Sequence, residues 1–351
     1  MAPWGAPLCA FGTAQIQKPI SVKPIMIVPD FWAESGRQHK AGSKQITVRR
    51  YGWSNESDAD AQAKAEARAE DALQRILSGE KLIKREPKRP YNGADGVPIR
   101  EEVLARHGEQ VITRNAYGAH CLNSPNALFA DVDFDQEAPS KLAYLAFWLF
   151  AFACAAASIS PRNWPLFFGL SILALIISAP VVNLAARIVV AARGGHEHNA
   201  RTRLLAFIAK NPSWNVRVYR TPAGLRLLAT HQPFEAPSEQ VTSFFTAVPT
   251  DPFYMKMCAN QRCFRARLSA KPWRIGISAH MRPRPGIWPV RPERLAIRNA
   301  WISQYELAAS QFAACRYIES LGSGVVDPAI QAVIDLHDRE SGALLIGAKL
   351  A

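Results

Sequence analysis

Three aspartates at alternate positions of a short apolar stretch are the residues in this sequence best suited to chemistry. Residues 128–135 read Leu-Phe-Ala-Asp-Val-Asp-Phe-Asp, a pattern that predicts a strand. Alternation along a strand places Asp131, Asp133 and Asp135 on one face, with neighbours about 7 Å apart. Carboxylates, together with waters and substrate phosphates, are how proteins usually hold Mg²⁺. The spacing therefore predicts a site for Mg²⁺ or Mn²⁺.

A structural interpretation of the same aspartates stays open. The strand can simply end in solvent, with Gln136 and Glu137 continuing into a polar loop. Geometry separates the two interpretations. Convergence of Arg226 and a third carboxylate on Asp131 and Asp133 in a cleft favours a functional site, whereas aspartates spread over open surface indicate a structural strand.

Two long stretches without charged residues follow the acidic strand. Leu142–Pro161 contains 20 such residues and Asn163–Ala186 contains 24, with only Arg162 between them. A helix needs about 20 mostly apolar residues to span a bilayer. Residues 141–193 are therefore predicted to form a transmembrane helical hairpin. A buried hairpin inside a soluble core is the alternative.

The charges around the hairpin predict its orientation. The turn carries Arg162 alone, whereas the chain after the second stretch is basic, with Arg187, Arg193, Arg201 and Arg203. Positive flanks mark the cytoplasmic side of a membrane. Residues 1–30 lack the basic start and apolar run of a signal peptide. We therefore expect a multi-pass protein of the bacterial inner membrane with both termini cytoplasmic.

Outside the hairpin, the patterns predict an α+β fold, with one cytoplasmic domain assembled from residues 1–140 and 194–351. Strands are predicted at Gln45–Tyr51, Val111–Arg114, Val216–Arg220, Leu225–His231 and Cys263–Leu268. Helices are predicted at Ser54–Ser78, Ile99–Arg106, Asn199–Lys210, Pro237–Ala247, Pro252–Cys258, Leu295–Leu321 and Pro328–Leu336.

The order of elements around the aspartates supports a resemblance to a known family. A strand with Asp131 and Asp133, a helix, and then two strands joined by a glycine turn resemble the catalytic core of archaeo-eukaryotic-type primases. The resemblance implies that the two aspartates hold a divalent metal. It also implies that the turn and the following strand bind nucleotide phosphate through Thr221, Gly224 and Arg226.

The resemblance covers about residues 126–231 and has two departures. Arg226 stands where the family has histidine, and Thr221-Pro222-Ala223 replaces a Ser-Gly stretch. The family's third acidic residue is not identifiable in this sequence, although Asp251 is available. The chain as a whole resembles a family of bacterial two-pass membrane proteins, a likeness that implies a topology but no activity.

A basic segment, residues 262–298, is the second candidate site. Its only acid is Glu293, and its basic residues are Arg262, Arg265, Arg267, Lys271, Arg274, Arg282, Arg284, Arg291, Arg294 and Arg298. Arginines interleaved with aromatic residues suit single-stranded nucleic acid, and basic clusters also suit anionic lipid. The predicted polyanion contacts are Arg265, Arg267, Lys271 and Arg274, although a solvated proline-rich connector is the structural alternative.

Three functions follow from these patterns. The leading hypothesis is a membrane-anchored, primase-like domain that binds a divalent metal and the phosphate of a nucleotide or nucleic acid. The second is a non-catalytic anchored module that binds anionic lipid or another polyanion. The third is a membrane-bound sugar-nucleotide transferase, a class that also uses Asp-x-Asp but places βα units before it. The net charge of +13 favours an anionic partner in each case.

Overall fold

The computed structural model describes residues 28–42, 44–87, 97–134, 140–157, 164–192 and 194–351. These residues form an α+β fold, as the patterns predict. Asp135 and the turn around Arg162 lie outside the described residues.

The described residues form twelve strands and eight α-helices. The strands are β1 Phe31–Ala41, β2 Lys44–Ser54, β3 Glu102–His107, β4 Gln110–Arg114, β5 His120–Ser124, β6 Phe129–Asp133, β7 Asn215–Thr221, β8 Gly224–Ala229, β9 Phe264–Arg267, β10 Phe312–Ala313, β11 Arg316–Gly322 and β12 Lys349–Leu350. The helices are α1 Asp58–Leu77, α2 Ser140–Ala157, α3 Trp164–Ala192, α4 Gly195–Lys210, α5 Glu239–Ala247, α6 Pro252–Gln261, α7 Pro292–Ala309 and α8 Pro328–Ser341.

A four-stranded antiparallel sheet in the order β11-β7-β8-β6 carries the acidic strand. Strand β6 precedes α2 and α3 in the chain, whereas its three partners follow them, so one sheet joins the two sides of the helical pair. Gly224 lets β6 approach β8, because a Cβ there would lie 1.9 Å from the Val132 carbonyl oxygen. The apolar core against this sheet includes Leu204, Phe207 and Phe244 from α4 and α5.

A second antiparallel sheet, in the order β3-β4-β5-β9, carries the start of the basic segment. Strand β9 pairs with β5 through Cys121↔Arg267 and Ser124↔Phe264. The buried Tyr254 hydroxyl on α6 joins the two sheets, since it donates to the carbonyl of Phe129 or Arg265 at 3.1 and 3.0 Å. The pairing of β9 thereby brings the basic segment beside the acidic strand.

Two predicted helices are wrong. The helix predicted at Ile99–Arg106 is replaced by β3, which pairs with β4 from Glu102↔Arg114 to His107↔Gln110. The helix predicted at Leu295–Leu321 stops at Ala309, and β10 and β11 follow. In β11 the half-buried and exposed residues alternate, so this apolar pattern has the two-residue period of a strand rather than a helical period.

One helix is long and apolar enough to cross a membrane among the residues that the structure describes. It is Phe168–Ala192, within α3, and only 11% of its most apolar window is buried. Helix α2 packs against α3 but does not meet the same criterion over its described residues. The predicted two-span hairpin is therefore confirmed only as one candidate span.

Candidate functional site

A cleft of about 430 Å³ opens where β6 ends. Residues of the acidic strand, the glycine turn and the basic segment all line it, together with Asp251, the available third acid. These lining residues are Asp131, Asp133, Thr221, Arg226, Asp251, Arg265, Arg267, Lys271 and Arg274. Gly224 adjoins it as the cross-strand partner of Asp133. The acidic strand and the basic segment are thus two walls of one site, which the sequence analysis treated as two.

The buried Arg226 and the half-buried Asp131 form an ion pair. Asp131 and Arg226 are cross-strand partners. The Arg226 guanidinium donates to both Asp131 oxygens at 2.9 and 3.2 Å, and to the Arg267 carbonyl at 2.7 Å. Burial, the largest single effect, opposes the charge of Arg226, but the charge and hydrogen bonds of Asp131, with smaller effects from Cys315 and Tyr254, together raise the Arg226 pKa. Arg226, only 1% exposed, therefore holds Asp131 and its own strand in place.

A second layer of polar residues lies behind Arg226. His337 of α8 is fully buried, with Nε2 3.4 Å from Arg226 Nη1 and Nδ1 3.0 Å from the Asp338 carboxylate. Asp338 also accepts a 2.6 Å hydrogen bond from Arg217. The sequence analysis missed both residues, because a histidine on an amphipathic helix gives no local signal of such a contact.

Asp133 is the more accessible carboxylate of β6. Burial, followed by the nearby charges of Asp131 and Asp251, raises its pKa, while Lys271 and Arg274 act in the opposite direction. Asp251 caps α6 through a 2.9 Å hydrogen bond from the Phe253 amide. These two carboxylates thus face the cleft with weaker protein pairing than Asp131.

The opposite wall is strongly cationic. Within the described part of the chain, Arg267, Lys271 and Arg274 form no ion pair, and the buried Arg274 Nη1 has no hydrogen-bond partner. Burial, and then the charges of Arg267 and Arg274, lower the Lys271 pKa. Such mutual repulsion is relieved by an anion.

Arg267 Nη1 donates to the Ser269 carbonyl at 2.8 Å, and the remaining predicted contacts also have partners within the protein. Arg265 forms an ion pair with the buried Glu101 at 2.7 Å. The Thr221 hydroxyl accepts a 3.0 Å hydrogen bond from the Gly224 amide. These contacts shape the β9 wall and the glycine turn.

Two exposed aromatic side chains stand at the cleft. Phe253, at the start of α6, lines it and is 67% exposed. Trp273, 56% exposed, contacts the lining residue Tyr117 with ring centroids 5.3 Å apart. Large exposed aromatics beside a cationic wall are suited to stacking against a flat ring.

The three-carboxylate metal site predicted from the sequence is not seen in the described part of the chain, and Asp135 lies outside it. Among the described residues, no group of three histidine, cysteine or acidic side chains is arranged to hold a metal ion. Both oxygens of Asp131 accept from Arg226. Asp133 and Asp251 offer hard oxygen donors, and Mg²⁺ is commonly bound by one or two carboxylates plus substrate phosphates. Their chemistry fits an ion that arrives with a phosphate ligand.

No family model, curated protein or solved structure gives a significant match to this chain. Arg226 and a third carboxylate, Asp251, line one cleft with Asp131 and Asp133, an arrangement that favours the functional interpretation over a purely structural strand.

Replacing Asp133 should stabilise the metal-free protein. The raised pKa of Asp133 means that the wild type loses stability as pH rises from the ordinary value of 3.8 through the higher folded value. Asp133→Asn removes that loss, so its melting temperature at neutral pH should exceed that of the wild type. Asp335→Asn, an exposed change outside the cleft, is the control. A lower melting temperature for Asp133→Asn would contradict the raised pKa of Asp133 that burial and the neighbouring carboxylates cause.

Proposed function

We propose that this protein is a membrane-anchored, primase-like domain whose cleft binds the phosphates of a nucleotide together with Mg²⁺ or Mn²⁺. The observation that carries the proposal is the juxtaposition of Asp133 and Asp251 with Arg267, Lys271 and Arg274 around one cleft. A phosphate chain with a divalent cation satisfies both walls, because the cation meets the carboxylates and the phosphate oxygens meet the basic side chains.

Each wall has its own role in the proposal. Arg267, Lys271 and Arg274 contact phosphate oxygens, whereas Asp133 and Asp251 hold the metal. When bound, the metal would neutralise phosphate charge. Arg226 contributes by orienting Asp131 and β6 rather than by touching phosphate, because its guanidinium is buried against Asp131.

The element order supports the primase-like part of the proposal. Strand β6 with its two aspartates is followed by helices, β7, the Gly224 turn and β8, and β8 lies between β6 and β7 in the sheet. The aromatic side chains Phe253 and Trp273 provide a surface for a base, which favours a nucleotide or nucleic acid over inorganic phosphate.

We propose that both α2 and α3 span the membrane. Helix α2 packs against α3, and exposed apolar residues of α2 include Leu145, Trp148 and Phe152. A pair of spans returns the chain to its starting side, which suits a sheet built from both flanks of the pair. We assign the domain to the cytoplasmic side of a bacterial inner membrane, because the basic flank follows α3.

Phe253 provides a test of nucleotide binding. Phe253→Ala should weaken binding of a nucleoside triphosphate with Mg²⁺ by about fivefold to a hundredfold, since base stacking contributes about 1–3 kcal/mol. Affinity for inorganic triphosphate should not change. Calorimetry on the detergent-solubilised full chain measures both, with Leu307→Ala, an exposed change on α7, as the control. Equal loss for both ligands, or for neither, would contradict a base at Phe253.

Anionic lipid is the second candidate ligand. The position of the cleft near the membrane helix favours a lipid. The cleft residue Asp133 lies one residue before Phe134, and the Phe134 ring stacks on His196 just after α3. A lipid phosphate would use the same basic wall without a base. Binding to phosphatidylglycerol vesicles that Lys271→Glu abolishes, with no nucleotide binding by the wild type, would favour lipid and overturn the nucleotide assignment.

A further inference from the structure

An apolar loop between α8 and β12 is exposed at its tip. Leu344, Leu345 and Ile346 are consecutive and are 62%, 60% and 102% exposed. Gly342 and Gly347 flank them with φ of 67° and 83°, so both ends of the loop turn through the left-handed region. Three adjacent aliphatic side chains directed into solvent mark an interaction surface rather than a packing requirement.

The loop is fixed to the start of β11. The Tyr317 amide donates to the Ala343 carbonyl at 3.0 Å, and the Arg316 guanidinium donates to the Ala348 carbonyl at 2.6 Å. Arg316 is the cross-strand partner of Arg220, which is the penultimate residue of β7. The apolar tip therefore lies at the end of the sheet where β7 ends and β11 begins.

The chain enters and leaves the helical pair at this same end of the sheet. Arg220 forms an ion pair with Glu197 of α4, and its guanidinium carbon lies 5.1 Å from the centre of the Phe134 ring. Phe134 follows β6 shortly before α2, and its ring is stacked on His196, with ring centroids 6.0 Å apart. The two junctions between the sheet and the apolar helices thus lie at the same end of the sheet as the apolar loop.

The charges around the loop suit an anionic surface. Residues 343–348 contain no charged side chain, and Arg316 and Lys349 are exposed beside them. An aliphatic tip with basic neighbours matches the boundary between acyl chains and anionic headgroups. A soluble protein partner would not require the tip to lie beside the junctions of α3.

We propose that Leu344, Leu345 and Ile346 insert into the interfacial layer of the bilayer that holds α3, as a second membrane contact of the domain. The inference rests on the membrane anchoring in the proposed function. The cleft residues Thr221 and Asp133 lie at the same end of the sheet, so this contact would hold the cleft close to the membrane surface.

An environment-sensitive nitrobenzoxadiazole label on Ile346→Cys tests the contact in the full chain. Reconstitution uses vesicles of phosphatidylcholine and phosphatidylglycerol, with Cys9 and Cys154 replaced by serine. The described cysteines are buried. The label should show blue-shifted emission and quenching by a spin label carried on the lipid acyl chains.

Val325→Cys is the matched control. Val325 is 53% exposed, and its carbonyl accepts from Thr230 at the opposite end of the sheet. Seven residues of β7 separate the ends by roughly 20 Å. A label there should keep aqueous emission. Aqueous emission at Ile346→Cys, or equal quenching at both positions, would overturn the proposed contact.

Flotation of the chain with the vesicles separates failure of the loop from failure of the anchor. A chain that floats, with the Ile346→Cys label in water, would overturn the loop contact alone. A chain that does not float would overturn the anchor, and the loop contact with it. Nucleotide binding in detergent does not depend on either result.

Discussion

Asp131→Asn is expected to destabilise the protein by about 3 kcal/mol, near the lower end of the cost of breaking a buried ion pair. The substitution leaves the Arg226 guanidinium, 1% exposed, without its counter-charge. The Asp131 side chain is 36% exposed, which places the cost toward that lower end. Urea unfolding of the detergent-solubilised chain, followed by tryptophan fluorescence, measures the change in the free energy of unfolding.

The neighbouring Asp133→Asn is the matched control, because the same chemical change two residues away is expected to have the opposite sign. A second control removes both charges. Asp131→Asn with Arg226→Met should recover part of the lost stability, since no charge is left buried alone. Equal, small effects of Asp131→Asn and Asp133→Asn would contradict distinct roles for the two carboxylates.

Reversing the charge of the basic wall should nearly abolish ligand binding. Lys271→Glu with Arg274→Glu removes two charge-assisted contacts, each contributing about 1.5–3 kcal/mol, so we expect a loss of at least about a hundredfold in affinity for a nucleoside triphosphate with Mg²⁺. Repulsion between the new carboxylates and phosphate adds to this loss. Calorimetry on the full chain provides the measurement.

Arg291→Glu provides the control for charge reversal. Arg291 belongs to the same basic segment but does not line the cleft. Its replacement changes the net charge of the chain with little effect on local phosphate contacts. A comparable loss of affinity in Arg291→Glu would show that ligand binding follows net charge and not the cleft.

The local geometry of the acidic strand follows from sequence patterns. Alternation places Asp131 and Asp133 on one face, and the Gly224 turn predicts the hairpin of β7 and β8. The structure agrees because short-range periodicity and turn chemistry determine these elements. Asp251 could also be named as an available acid, although its distance from Asp133 depends on the fold.

No local sequence pattern indicates that the acidic strand and the basic segment line the same cleft. This arrangement depends on β9 pairing with β5 through contacts such as Cys121↔Arg267, which are far apart in sequence. The sequence analysis named Arg226 as a residue that could converge on the aspartates, but it predicted a phosphate contact rather than the cross-strand pairing of Arg226 with Asp131, which joins residues on opposite sides of the helical pair. The charge pattern alone predicted two separate candidate sites, one at the acidic strand and one in the basic segment.

Mapping a photo-crosslinked nucleotide tests whether the cleft binds a nucleotide. An azido-adenosine triphosphate, bound with Mg²⁺ and activated in the full chain, should label the peptide that contains Phe253 or the one that contains Trp273. Excess unlabelled nucleotide should remove this labelling, and Lys271→Glu with Arg274→Glu should abolish it. Labelling confined to peptides remote from the cleft, or labelling unaffected by competitor, would contradict a nucleotide site between the acidic strand and the basic segment.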